Sequence, residues 1–103
     1  MAVRPLQPLI RKLNRGCRYD RNDVIGFVND AETDLFYGRL EDAVVRLELA
    51  ELWFKATFPF TFGAVGVIEA HQQYLRLTKR IGEQEYRRLV SEVIPKVYEK
   101  AKA

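Results

Sequence analysis

Apolar residues recur along this chain at helical spacing and almost nowhere at the two-residue alternation of a strand. Leu6, Leu9, Ile10 and Leu13 fall at i, i+3, i+4 and i+7, with Pro5 and Pro8 suited to a first turn and Gly16 to an end. A second helix is expected after Asp20 or Asn22, either of which can cap it. Its stripe is Val24, Phe27, Val28, Ala31 and Leu35, widened by Ile25 and Phe36, and Gly38 stops it in a left-handed conformation. The third helix, from about Arg39 to Ala56, carries Leu40, Ala43, Val44, Leu47, Ala50 and Phe54 on one face. Val45, Leu49, Leu52 and Trp53 broaden that face, so this is the expected central helix with more than one side covered. Only Gly38 separates the two, and a gap that short implies an antiparallel hairpin.

Pro59 ends the third helix and forces an extended backbone on Phe58. A fourth helix is expected from about Ala64 to Arg80, facing the core with Val67, Ile68, His71, Tyr74, Leu75 and Thr78. Gly82 caps it. A fifth begins near Glu83, with Tyr86, Leu89, Val90, Val93, Ile94 and Val97 at i, i+3, i+4, i+7, i+8 and i+11. Pro95 is expected to kink that helix or end its first segment. The expected fold is an all-α bundle of four to five helices around a central antiparallel hairpin, with residues 1–103 as one domain.

Charge is segregated along this pattern. Residues 1–21 carry six bases against one acid, a net +5; residues 22–54 carry two against eight, a net −6; the remainder carries nine against five, a net +4. Such blocks attract one another within a molecule or between copies. No segment is apolar enough to cross a bilayer and no secretory leader is read at the start, so a cytoplasmic protein without a membrane partner is expected. Cys17 is the one cysteine, which precludes an internal disulfide and fits a reducing compartment. One serine, one methionine, few amides and abundant Arg, Glu and Lys resemble a thermophile composition.

Catalytic chemistry is sparse. His71 is the one histidine, far from Cys17 and with no elbow glycines around Ser91, so neither a nitrogen–sulfur metal site nor a catalytic triad is expected. Its ordinary role is a packed, hydrogen-bonded side chain. Asp30 and Asp34 share a helix face, as acid–base pairs and oxygen-ligated metal sites do, and as a solvated acidic face also does. Gly63 and Gly66 lack the Lys-Ser/Thr ending of a phosphate loop and read as small residues where helices approach. No catalytic residue, metal or cofactor is assigned.

Two features point to binding. Trp53, Phe54, Phe58, Phe60 and Phe62 crowd into ten positions, and alternation sends Phe58, Phe60 and Phe62 to one side of an extended connector. They either plug the end of the bundle or anchor a partner, as interface aromatics do. Arg11, Lys12, Arg15, Arg18 and Arg21 lie within eleven positions and could meet phosphates, or else form a solvated face or pair with the acidic second helix.

Residues 31–56 read AETDLFYGRLEDAVVRLELAELWFKA. The Gly-Arg-Leu-Glu-Asp-Ala-Val turn, with Ala50-Glu51 and Lys55-Ala56 after it, resembles the central hairpin of HEPN-type four-helix domains and is similar to a tetratricopeptide hairpin. A tetratricopeptide array needs at least three repeats, and no internal repeat appears in this sequence. HEPN ribonucleases place an Arg shortly before a His, whereas His71 here precedes Arg76. The resemblance therefore implies a non-catalytic member that binds partners or nucleotides. The function expected is a non-enzymatic adaptor or assembly subunit that binds another protein or itself, with Phe58, Phe60 and Phe62 as partner-binding residues. The alternative is a nucleic-acid-binding accessory protein using Arg11, Lys12, Arg15 and Arg18. A small ligand- or metal-dependent enzyme is the third.

Overall fold

A computed structural model describes Pro8, Ile10, Arg11 and residues 19–57 and 65–102. The fold is all-α: α1 (Arg21–Phe36), α2 (Leu40–Thr57), α3 (Val65–Ile81) and α4 (Glu83–Lys102), with no strand among the described residues. Ile10 and Arg11 are also helical, in the first helix the periodicity predicts, and Ile10 is fully buried in the common core.

Asp20 caps α1 in a reciprocal box. The Asp23 N–H donates to Asp20 Oδ1 at 2.8 Å and the Asp20 N–H donates to Asp23 Oδ2 at 3.1 Å, so two donors that the helix leaves unsatisfied are filled. The other end closes on Gly38 at φ +77°. There the Arg39 N–H donates to the Asp34 carbonyl at 2.7 Å and the Gly38 N–H to that of Leu35 at 3.2 Å, the two bonds of a Schellman stop. Tyr37, Gly38 and Arg39 make the turn, and α2 begins at once. Contacts then run in opposite senses along the pair: Arg46 meets Asp34 near the turn, and Trp53 Nε1 donates to the Tyr19 carbonyl at the far end, at 3.2 Å. The hairpin is therefore antiparallel, and α1 and α2 share the largest helix–helix contact in the fold.

Asp34 corrects the sequence reading. It lies in no solvated face but is fully buried, accepting Arg46 Nε on one oxygen at 2.8 Å and Arg39 Nε on the other at 2.9 Å. Arg46 is itself 2% exposed, and its Nη1 stands 3.7 Å from Asp30, which is partly covered. An acid and a base twelve residues apart find each other only through the hairpin, which periodicity does not report.

The core centres on α2, whose Ala43, Val44, Val45, Leu47, Leu49, Ala50 and Phe54 are all buried, more than a single stripe. Leu40 is only partly covered, and Leu52 and Phe36, both placed in the core by periodicity, are 51% and 77% exposed. On α3 the buried positions are Val67, Ala70, Tyr74 and Leu77, while Ile68 and Leu75 lie outside. The inward face is rotated from the expected one because small Ala70 sits at the contact. Gly66 marks the same closeness: a Cβ there would stand 3.2 Å from Ile25 Cδ1. α4 buries Tyr86, Leu89 and Val93 as expected, and continues through the exposed Pro95 to Lys102 without ending there.

Two substitutions test this frame. Leu47→Ala is expected to cost on the order of 2–5 kcal/mol. Asp34→Ala removes the carboxylate that the buried Arg46 guanidinium bonds and is expected to cost about 3–5 kcal/mol. Urea titration checks both, and the double change Asp34→Leu with Arg46→Met should recover most of the second loss, because it removes the stranded charge with its partner.

Candidate functional site

On α2, Glu48 and Glu51 are three residues apart and share a face. Helical geometry puts Glu48 about 200° around the axis from Arg46, so the face opposite the α1 contact is the one that carries these acids. α3 and α4 pack on that side and leave a cleft of about 670 Å³ between the three helices. Ligand pockets commonly measure about 300–1,000 Å³. Glu48, Glu51, Tyr74 and Tyr86 meet in it, with Thr78, Lys79, Glu83, Arg87, Val90 and Ser91 completing the walls.

The four inner side chains are bonded to one another. The Tyr86 hydroxyl donates to Glu48 Oε1 at 2.6 Å and the Tyr74 hydroxyl to Glu51 Oε2 at 2.8 Å. The negative charge of Glu51, three residues on, disfavours ionisation of Glu48. Lys55 closes the outer side, its Nζ 2.7 Å from Glu51 Oε1.

Burial raises the Glu48 carboxyl above its ordinary range, and the negative charge of Glu51 raises it further, against the opposing bond from Tyr86. Burial pushes Glu51 up too, but the hydrogen bonds from Lys55 and Tyr74 outweigh it and hold this carboxyl below the ordinary value. Burial, and then the carboxylate that each phenol faces, pushes Tyr74 and Tyr86 well above the usual phenol range, so both stay protonated. The Ser91 hydroxyl is turned back to the Arg88 carbonyl at 2.8 Å, and Arg87 is paired with Glu83 at 2.8 Å.

Of the residues singled out by sequence, the described ones do not line the cleft. Phe58, Phe60, Phe62, Lys12, Arg15, Arg18 and Cys17 fall outside the described residues. Arg11 is described and exposed. His71 packs edge-on against Phe54 at 4.9 Å and stacks on Tyr74 at 6.0 Å, partly buried and not in the cleft wall. Among the described residues no group of three or more His, Cys, Asp or Glu is placed to hold a metal ion, and no helix is long and apolar enough to cross a membrane. Sequence reasoning missed the cleft. The usable signal was a pair of acids on a helix already expected to be covered on more than one side, with Tyr74 and Tyr86 in core stripes of two later helices.

The two acids act on stability with opposite signs. Glu48 is raised on folding, so its contribution is complete below its unfolded value and is lost as pH rises through the folded one. Glu51 is lowered, so its contribution is present above its unfolded value and is lost as pH falls through the folded one. Glu48→Gln keeps a neutral donor in place at every pH. Thermal melts are expected to show the variant a few degrees more stable than the parent at about pH 8 and level with it at about pH 4. A difference independent of pH would mean that the Glu48 carboxyl is not raised on folding.

No family model matches this chain, and neither a curated protein nor a solved structure matches it.

Proposed function

We propose that this chain is a non-enzymatic helical adaptor or assembly subunit that binds a protein partner through the cleft between α2, α3 and α4. The observation that carries the reading is the cleft itself: about 670 Å³, walled by three helices, with its polar side chains held in place by one another. A rigid, partly apolar cleft with fixed acceptors favours binding. Catalysis is disfavoured because the hydroxyls there are committed: two phenols held protonated and one serine bonded to its own helix. The HEPN-type resemblance points the same way, since a hairpin lacking the Arg-then-His order implies a member that binds rather than cuts. In this reading Phe58, Phe60 and Phe62 add a second contact, to the partner or to another copy, in a cytoplasmic setting. One described feature favours the alternative of a nucleic-acid accessory role: Arg11 is exposed while its neighbour Ile10 is buried, so the basic helix turns at least one base outward.

A photo-crosslinking side chain at Thr78 or Ser91 in the native host tests the proposal. Protein adducts are expected from both positions. They should vanish when Val90→Arg fills the cleft, and none should form from Glu41 on the exposed side of α2. Equal adducts from Glu41 would remove the cleft from the interface, and hydrolytic turnover lost in Glu48→Gln would overturn the non-enzymatic reading. Phe60→Ser and Phe62→Ser are expected to weaken self-association in sedimentation with little change in melting. Binding carried by Arg11, Lys12, Arg15 and Arg18 would instead appear as retention of nucleic acid that falls steeply with salt.

A further inference from the structure

Two large aromatic residues stand in solvent at the turn between α1 and α2. Phe36 is 77% exposed and Tyr37 52%, and their rings meet edge to face, centroids 5.1 Å apart at 84°. The backbone beneath them is fixed by the Schellman bonds from Gly38 and Arg39. Arg39 is held by its Nε on the buried Asp34, and its guanidinium carbon lies over the Tyr37 ring, 5.1 Å from the centroid. Rings on a turn this rigid lose little freedom when something covers them.

A neighbouring helix brings positive charge to the same place. α1 and α3 run side by side in the same direction: Gly66 lies against Ile25, and seven residues on in both helices Gln73 bonds Glu32. One turn further at that register, Phe36 is level with the stretch from Arg76 to Arg80. Helical geometry puts Phe36 about 40° round α1 from Glu32, and Arg76 and Arg80 about 60° and 20° round α3 from Gln73, each on the side away from the core. The ring and the two guanidiniums thus flank one seam on its solvent side. All three are exposed; Arg76 is bonded through Nε to Gln73 alone, and Arg80 has no ion pair among the described residues. The acids nearby do not cancel this charge. Glu32 accepts from Gln73, and Asp34 is buried between arginines. Glu41 and Asp42 are turned about 140° and 120° round α2 from Phe54, the residue that packs on His71 of α3.

We infer that this end of the bundle is a binding surface for single-stranded nucleic acid, with bases stacked on Phe36 and Tyr37 and phosphates held by Arg76 and Arg80. Arg39 backs the Tyr37 ring and keeps it in place. None of these five residues lines the cleft, so the surface is separate from it. Every base has a flat π-face to lay on a protruding ring, whatever the sequence. A peptide side chain would need a pocket to enter, and these rings protrude instead. Arginine suits the remaining contacts, since its planar fork takes a phosphate bidentately. A duplex offers the same phosphates but keeps its bases stacked inside, so it engages the arginines and not the rings.

The test titrates the full chain, by fluorescence anisotropy, into labelled oligothymidine and oligouridine of about twelve nucleotides, with a duplex and an abasic strand of the same length as controls. At low salt each single strand is expected to bind at least about tenfold tighter than either control. Phe36→Ala and Tyr37→Ala should each weaken single-strand binding by about tenfold and leave duplex binding unchanged. Melting should change little, because neither ring is in the core. Phe36→Trp should retain binding. Arg76→Gln with Arg80→Gln should take about 1.4 off the slope of log affinity against log salt, the share of two phosphates. The tighter of the two strands assigns the surface to DNA or to RNA. No single-strand binding at low salt, or equal binding of the abasic strand, overturns the inference. So does affinity that survives Phe36→Ala but is lost when Arg11→Ala, Lys12→Ala, Arg15→Ala and Arg18→Ala are combined. A photo-crosslinking side chain at Phe36 that yields protein adducts and none to nucleic acid would give the rings to a protein partner and overturn it as well.

Discussion

Asp34 is buried where α1 turns back into α2, and it takes an Nε–H from Arg39 in that turn and another from Arg46 on α2. Removing a carboxylate and a guanidinium from water costs several kcal/mol per ion, and only close, well-directed bonds offset it. Both oxygens of Asp34 are so engaged, and Asp30 adds a second negative group near Arg46. The pair therefore adds little net stability, but any other register of the hairpin would leave a buried charge unmatched. Its effect is on specificity of pairing more than on depth of the fold. With the bond from Trp53 to the Tyr19 carbonyl at the opposite end, α1 and α2 are fixed at two points.

That constraint decides which way the rest of α2 points. Once Arg46 is committed to α1, Glu48 and Glu51 are turned toward the helices that arrive later in the chain. α2 thus carries charge on two covered sides, and the sides are unlike. On one, opposite charges meet and nothing further is required. On the other, like charges meet, and the conflict is relieved by two phenols and Lys55. The first arrangement is closed off in the core, whereas the second lines a cleft open to solvent. Places where a covered helix tolerates such a conflict are where function is to be sought.

The helices were legible in sequence because their stripes are long and their stops are glycines. Gly38 and Gly82 both take positive φ as expected, Asp20 caps as expected, and the stripe Tyr86, Leu89, Val93 on α4 is the buried one. Rotation about an axis was less legible. On α3 the apolar Ile68 and Leu75 outweighed Ala70 in the pattern, yet a small residue at the contact brings two backbones together and fixes the face. Charged core residues were not legible at all. Arg46 and Asp34 look like surface residues until the hairpin joins them, and Glu48 looks like one until Tyr86, thirty-eight positions later, donates to it. Hydrophobic period reports each helix alone, whereas the site is made of side chains from three.

The attachment of α3 and α4 to α2 follows from the same bonds. α3 and α4 are joined through Gly82 alone, and each sends one phenol onto an acid of α2. Those phenols are also core residues: Tyr74 and Tyr86 are each 8% exposed and belong to the main apolar cluster. Their rings hold α3 and α4 in the bundle while their hydroxyls hold the acids of the cleft. Ionisation of both acids sets two half-buried negative charges against each other at the point where three helices meet. The repulsion is borne by the phenol bonds, because α2 is pinned to α1 and does not yield. Whatever neutralises Glu48 and Glu51 therefore also tightens the seating of α3 and α4 on α2.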